Sequence, residues 1–171
     1  MSSTPRATPP EPAARWVLDL LAARGETLVT AESLTGGMLA ALLTDVPGAS
    51  RSFRGGVVAY ATDLKESVLG VPTALVAEHG VVSAACAEAM AVGARRLGGS
   101  TYAVSTTGVA GPDLQEGKPA GTVFVAVASP RGASARELRL EGDREAVRRA
   151  ACRRALDALG EVLTREVPGL G

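Results

Sequence analysis

Residues 122–128, TVFVAVA, constrain the fold of this chain more than any other stretch. The run is almost unbroken apolar and rich in valine, the pattern of a strand buried on both faces. Such a strand needs cover on two sides, and the flanking sequence supplies it. Residues 13–24 repeat Trp16, Val17, Leu20 and Leu21 at helical spacing and stop at Gly25. Residues 27–31 (TLVTA) and 101–107 (TYAVSTT) read as short β-branched strands, and residues 55–61 as a buried strand entered through Phe53. Helical segments are expected over 34–46, 63–69, 73–78 and 84–97, the last capped by Ser83. A long helix should start at Asp143 and run to about Glu166. Residues 134–140 alternate and read as an edge strand. The order αβαβααβββα joins the first three strands through helices, which favours parallel neighbours, while the last two can pair antiparallel. The expected fold is α/β: a single three-layer α/β/α domain with a mixed five-stranded sheet.

Residues 1–12 carry four prolines and read as a disordered tail, leaving residues 13–168 as the one domain. The chain has 171 residues, 46% of them apolar but only 3% aromatic, so its core must be built from Ala, Val and Leu. Eighteen basic residues balance eighteen acidic ones, which argues against a nucleic-acid binder acting through a basic face. Cys86 and Cys152 lack metal or redox spacing, and the single histidine, His79, excludes a multi-His metal centre by counting. His79 reads as a helix-end residue followed by Gly80. No apolar run approaches the ~18 residues that span a bilayer, and the N-terminus has no apolar core of a secretory signal. A cytoplasmic protein is expected, with no metal, no cofactor, no membrane partner and no direct nucleic-acid partner.

Three loops leave the carboxyl ends of expected strands, where ligands bind in such sheets. The first, AESLTGG (31–37), joins a strand to a Ser/Thr/Gly-rich helix start, suited either to an anion or to simple capping. Ser33 sits there like a nucleophile elbow without its flanking glycines. The second stretch, PGASRSFRGGVVAYATDLK (47–65), holds Ser50 and Ser52 before a strand, Tyr60 near its end and Lys65 in the helix after it. If Asp63 caps that helix, the dipole and partial burial would disfavour the Lys65 ammonium, as a lysine base needs. Spacing alone favours the other reading, a turn serine and a solvated lysine. The third, residues 105–121, is long for a small domain and carries Thr106, Thr107, Gly108 and Lys118.

Together AESLTGG, PGASRSFRGGVVAYATDLKESVLGVP, HGVVS, TTGVAGPDLQEGKPAGTVFVAVA and GDREAVRRAA closely resemble the CinA C-terminal domain family. The resemblance runs in order over most of the chain. It implies hydrolysis of the carboxamide of nicotinamide mononucleotide to nicotinate mononucleotide and ammonia, a step of pyridine nucleotide salvage. A proposed Ser–Lys pair fifteen residues apart, with a tyrosine between, falls on Ser50, Lys65 and Tyr60. Substrate-binding positions fall on Ser33, Thr35, Gly36 and Gly37, on Thr107, Gly108 and Ala110, and on the basic residues Arg144 and Arg149. Amides around Ser50–Ser52 would hold the oxyanion, and the helix start at Thr35–Gly37 the phosphate. The family resemblance also implies a homodimer. Leu34 stands where the family more often has cysteine, Thr106 replaces a frequent serine, and the DLQEG loop is short and poor in glycine. The alternatives are a nucleotide-binding module acting through a protein partner, linked to competence or recombination, and an amidase for another nucleotide.

Overall fold

In a computed structural model residues 11–166 are described. The expected tail therefore lies outside the described residues except at its end, where Pro12 already opens a helix. Proline suits that first helical position, because its missing N–H would have no partner there.

Five strands form one sheet: β1 (Leu28–Glu32), β2 (Phe53–Val58), β3 (Tyr102–Gly108), β4 (Thr122–Ser129) and β5 (Gly132–Arg139). Their spatial order is β2-β1-β3-β4-β5. β1 pairs parallel with β2 and β3, while β3–β4 and β4–β5 are antiparallel. The helices are α1 (Pro12–Arg24), α2 (Met38–Thr44), α3 (Thr62–Ser67), α4 (Thr73–His79), α5 (Ala84–Gly98) and α6 (Arg144–Arg165). The mixed five-stranded sheet with helices on both sides is the expected architecture.

β4 shows why. Val123, Val125 and Val127 point into one core with Leu21, Leu39, Leu156 and Leu159 of α1, α2 and α6. Phe124, Ala126 and Ala128 point into a second core with Met90, Ala87 and Ala94 of α5. A strand sandwiched in this way tolerates no polar side, and all eight β4 residues are buried.

Two details correct the sequence reading. β2 is an edge strand with alternating burial, not a fully buried one, because β1 takes the inner position between β2 and β3. α2 starts at Met38, so Thr35, Gly36 and Gly37 form the turn before it; Gly36 (φ 58°) and Gly37 (φ 99°) adopt left-handed backbone there.

α5 passes very close to the segment that follows α3. A Cβ on Gly93 would run into the Leu69 carbonyl oxygen. Gly93→Ala should therefore lower stability by about 1–3 kcal/mol through overpacking, although helix propensity alone favours alanine by roughly 1 kcal/mol. Urea unfolding of the two proteins checks the sign.

Candidate active site

Because β1, β2 and β3 run parallel, their carboxyl ends lie on one side of the sheet, with Glu32 paired to both Val58 and Thr106. The segments leaving those ends form a cleft of about 310 Å³ whose walls include Ser33, Leu34, Tyr60, Gly108, Ala110 and Arg144. A larger hollow of about 610 Å³ between α1 and α6, beside Trp16, contains no nucleophile in contact with a base.

Lys65 is the centre of the arrangement. It is 1% exposed, among the largest fully buried side chains of the protein. Its Nζ lies 3.0 Å from Ser33 Oγ, 2.8 Å from the Ala59 carbonyl oxygen and 3.2 Å from the Tyr60 carbonyl oxygen. A neutral amine has two donors and one lone pair, which match two carbonyls and one hydroxyl. An ammonium has three donors, which match the same three oxygens. The proton can therefore pass between Ser33 Oγ and Lys65 Nζ without leaving a buried polar atom unpaired. Burial pushes the Lys65 pKa below its ordinary value; nearby negative charge, Glu116 included, pulls the other way.

The structure separates Ser50 from Lys65. Ser50 is exposed in a single 3-10 turn (Ala49–Arg51) before β2, and Lys65 follows the other end of β2. Six residues of strand carry the chain about 20 Å, so residues that bracket one strand cannot meet. Ser52 is buried and donates to the Leu18 carbonyl, a packing role on the opposite end of the sheet. Tyr60 presents its carbonyl to Lys65, while its half-exposed ring carries the hydroxyl outward to Arg144 Nη2 at 2.9 Å.

Thr35 is wholly buried with its hydroxyl 2.7 Å from that of Thr106, and the Thr107 hydroxyl donates to the Val81 carbonyl at 2.7 Å. Both hydroxyls are buried and already hydrogen-bonded within the protein. Gly108 and Ala110 do line the cleft. Arg144 donates to the Gly111 carbonyl and to the Tyr60 hydroxyl, spanning the mouth. Arg149 pairs with Glu145 on the exposed face of α6 and takes no part. Asp63 does not cap α3; Ala61 holds that position without a side-chain bond. His79 is exposed beside Glu78, away from this cluster.

A family model described as the CinA C-terminal domain matches residues 11–163, nearly the whole chain. The chain belongs to the CinA C-terminal domain family. A CinA-like protein of Frankia casuarinae is 53% identical over 147 residues, covering 86% of this chain and 34% of its own length. The CinA-like protein of Geobacter sulfurreducens is 49% identical over 144 residues, covering 84% of this chain and 35% of its own length. This chain thus spans about a third of the curated relatives it matches. Among solved structures, a competence-damaged protein (CinA) superfamily member from Klebsiella pneumoniae superposes with a TM-score of 0.87 at 40% identity, covering 90% of this chain and 96% of its own. One from Escherichia coli gives 0.85 at 30% identity, with 88% of each chain covered.

Two residues that matter to this CinA-family cleft escaped the sequence reading. Glu32, 1% exposed at the end of β1, accepts from the N–H groups of Leu39 at 2.8 Å and Ala40 at 3.0 Å. It fills the amino end of α2 with the chain's own carboxylate, so that end does not receive an outside anion as the sequence suggested. Arg148 Nε and Nη2 donate to the Leu34 and Thr35 carbonyls, both at 2.9 Å. Together Glu32 and Arg148 brace the turn that carries Ser33. Glu32→Gln keeps the shape but can accept at only one of the two amides and turns a donor toward the other. It should cost about 1–3 kcal/mol, read from thermal or urea unfolding, while Arg149→Ala should leave stability within about 0.5 kcal/mol of the parent.

Proposed function

We propose that this protein hydrolyses the carboxamide of nicotinamide mononucleotide, with Ser33 as nucleophile and Lys65 as its base. The observation that carries the reading is the buried contact between Ser33 Oγ, from a residue that lines the cleft, and Lys65 Nζ behind it. The substrate rests on the family resemblance: the motifs that surround the cleft are those that suggest a nucleotide carboxamide.

In the reaction, neutral Lys65 takes the Ser33 proton as Oγ attacks the carboxamide carbon. The tetrahedral intermediate collapses with cleavage of the C–N bond, and the Lys65 ammonium gives its proton to the departing ammonia. A water then attacks the ester, losing a proton to Lys65. The ester C–O bond breaks, Ser33 recovers its proton and the nicotinate nucleotide leaves. The oxyanion needs donors in the cleft. Leu34, Ala110 and Gly111 line it, and their N–H groups make no hydrogen bond among the described residues. The residue after a nucleophile commonly supplies one such donor, which is Leu34 here. Arg144 at the mouth is the cation suited to the phosphate, with Tyr60 steadying it.

A module that only binds nucleotides has no need of a lysine amine held out of water against a hydroxyl, so the amidase reading is preferred. Ammonia release from nicotinamide mononucleotide is the direct assay. Ser33→Ala and Lys65→Ala should each lower kcat by about a thousandfold or more, whereas Ser50→Ala should stay within about twofold. Loss of turnover in Ser50→Ala with turnover retained in Ser33→Ala would sink the Ser33 assignment. Since Lys65 must be neutral to act, kcat/KM should fall about tenfold per pH unit below the Lys65 pKa. That acid limb should lie below the ordinary lysine range, because burial depresses the value.

A further inference from the structure

The loop between β3 and β4 that walls the cleft is fastened at one point the mechanism does not use. At its tip the Gln115 N–H donates to the Lys118 carbonyl at 3.1 Å and the Lys118 N–H to the Gln115 carbonyl at 2.9 Å. The two residues between them, Glu116 (φ 52°) and Gly117 (φ 73°), are both left-handed. Positive φ at both central positions is the type I′ hairpin turn, which favours Asn, Asp or Gly at the place where glutamate stands. Glu116 is the one non-glycine residue with positive φ among the described residues. A backbone of that kind is strained and persists where other contacts offset it.

The offset is visible. Glu116 Oε1 accepts from the Val81 N–H at 2.8 Å and Oε2 from the Val82 N–H at 2.9 Å. Successive amides on one carboxylate make a charge-assisted, two-point grip. Gly80 makes room for it, because a Cβ there would collide with the carboxylate. Val81 is also held from its other side, its carbonyl accepting from the Thr107 hydroxyl at the end of β3. The cleft residues Gly111, Asp113, Leu114 and Gln115 all lie on the chain between that strand end and the grip.

We infer that Glu116 is a positioning residue of the hydrolytic centre, clasping the Val81 and Val82 amides to fix the loop wall of the cleft and keeping a negative charge within electrostatic reach of Lys65. This rests on reading Ser33 and Lys65 as the reacting pair. The Lys65 amine bonds to Ser33 from the turn after β1 and to the Ala59 and Tyr60 carbonyls after β2, while Cys86 of α5 and Glu116 act on it only electrostatically. Burial raises the Cys86 thiol to about 11, so it is uncharged at neutral pH. Glu116 is then the charge that favours the ammonium against burial, and the amine needs that form to protonate leaving ammonia.

Lys65 and Lys118 are the only lysines in the chain, so lysine labelled with carbon-13 at Cε gives two signals, and Lys65→Met assigns them. In Glu116→Gln the Lys65 midpoint should drop by about half a pH unit or more, because an anion that favoured the ammonium is gone. In Glu116→Asp, which keeps the charge on a shorter arm, it should stay within about 0.2 pH unit of the parent. Hydrogen exchange at the Val81 and Val82 amides should quicken about tenfold or more in both variants as the grip loosens. The acid limb of kcat/KM should follow the Lys65 midpoint in Glu116→Gln only, and KM should rise in both. An unmoved or raised Lys65 midpoint in Glu116→Gln, or unchanged exchange at Val81 and Val82, overturns the proposal. The titration and exchange arms need no turnover. Failure of the wild-type protein to release ammonia would count against the amidase reading and leave these two results standing on their own.

Discussion

A lysine amine held out of water is the constraint on which the rest of this structure depends. Taking an ammonium from water into a protein interior is costly unless it is paired or loses its proton. Here no carboxylate among the described residues bonds to Lys65; the chain supplies three oxygens, two of them backbone carbonyls at the point where β2 turns into α3. Those carbonyls face inward because the strand has ended and the helix has not begun, so their usual ladder partners are missing. The amine satisfies them, and they hold it in place. Gly93 of α5 lets the segment after α3 pack closely against that helix.

Much of the fold was legible because it follows from periodicity. The doubly buried β4, the helices that join β1, β2 and β3, and the direct β4–β5 connection each left a local signature. The position of β2 did not. FRGGVV is apolar enough to be read as an inner strand, but its alternating exposure appears only once β1 has taken the middle place. Sheet order is a choice among packings, and no residue within β2 encodes it alone.

The site was half legible. Spacing and family resemblance singled out Lys65, Tyr60 and Ser33, and then joined Lys65 to Ser50. Strand geometry was available to prevent that, since Ser50 precedes β2 and Lys65 follows it. In a parallel sheet, groups that act together come from the carboxyl ends of neighbouring strands. Ser33 after β1, Lys65 after β2 and Gly108 at the end of β3 obey that rule; Ser50 and Ser52 do not. The same kind of argument selects between arginines on α6. Arg144 and Arg148 are four apart and share a helix face, and both reach the cleft or its supporting turn, whereas Arg149 points to solvent. Glu32 was harder to foresee. A glutamate at the end of a strand looks solvated until the following turn brings two amides of α2 back onto it.

The Glu32 grip has a consequence for how this cleft would treat a charged ligand. A helix amino end is a natural anion site, but here the anion is already part of the chain. In the proposed function the phosphate therefore falls to Arg144, which uses one donor on Gly111 and one on Tyr60 and has three of its five N–H donors unused among the described residues. Those donors sit in water at the rim, where salt screens attraction, while the Ser33–Lys65 contact lies in the interior, where screening is weak. The proposed function thus assigns holding a charged ligand and moving a proton to different dielectric environments. The stiff turn between them, braced by Glu32 from below and Arg148 from α6, couples the two. It carries Ser33, and its Leu34 side chain and amide border the same cleft that Arg144 closes.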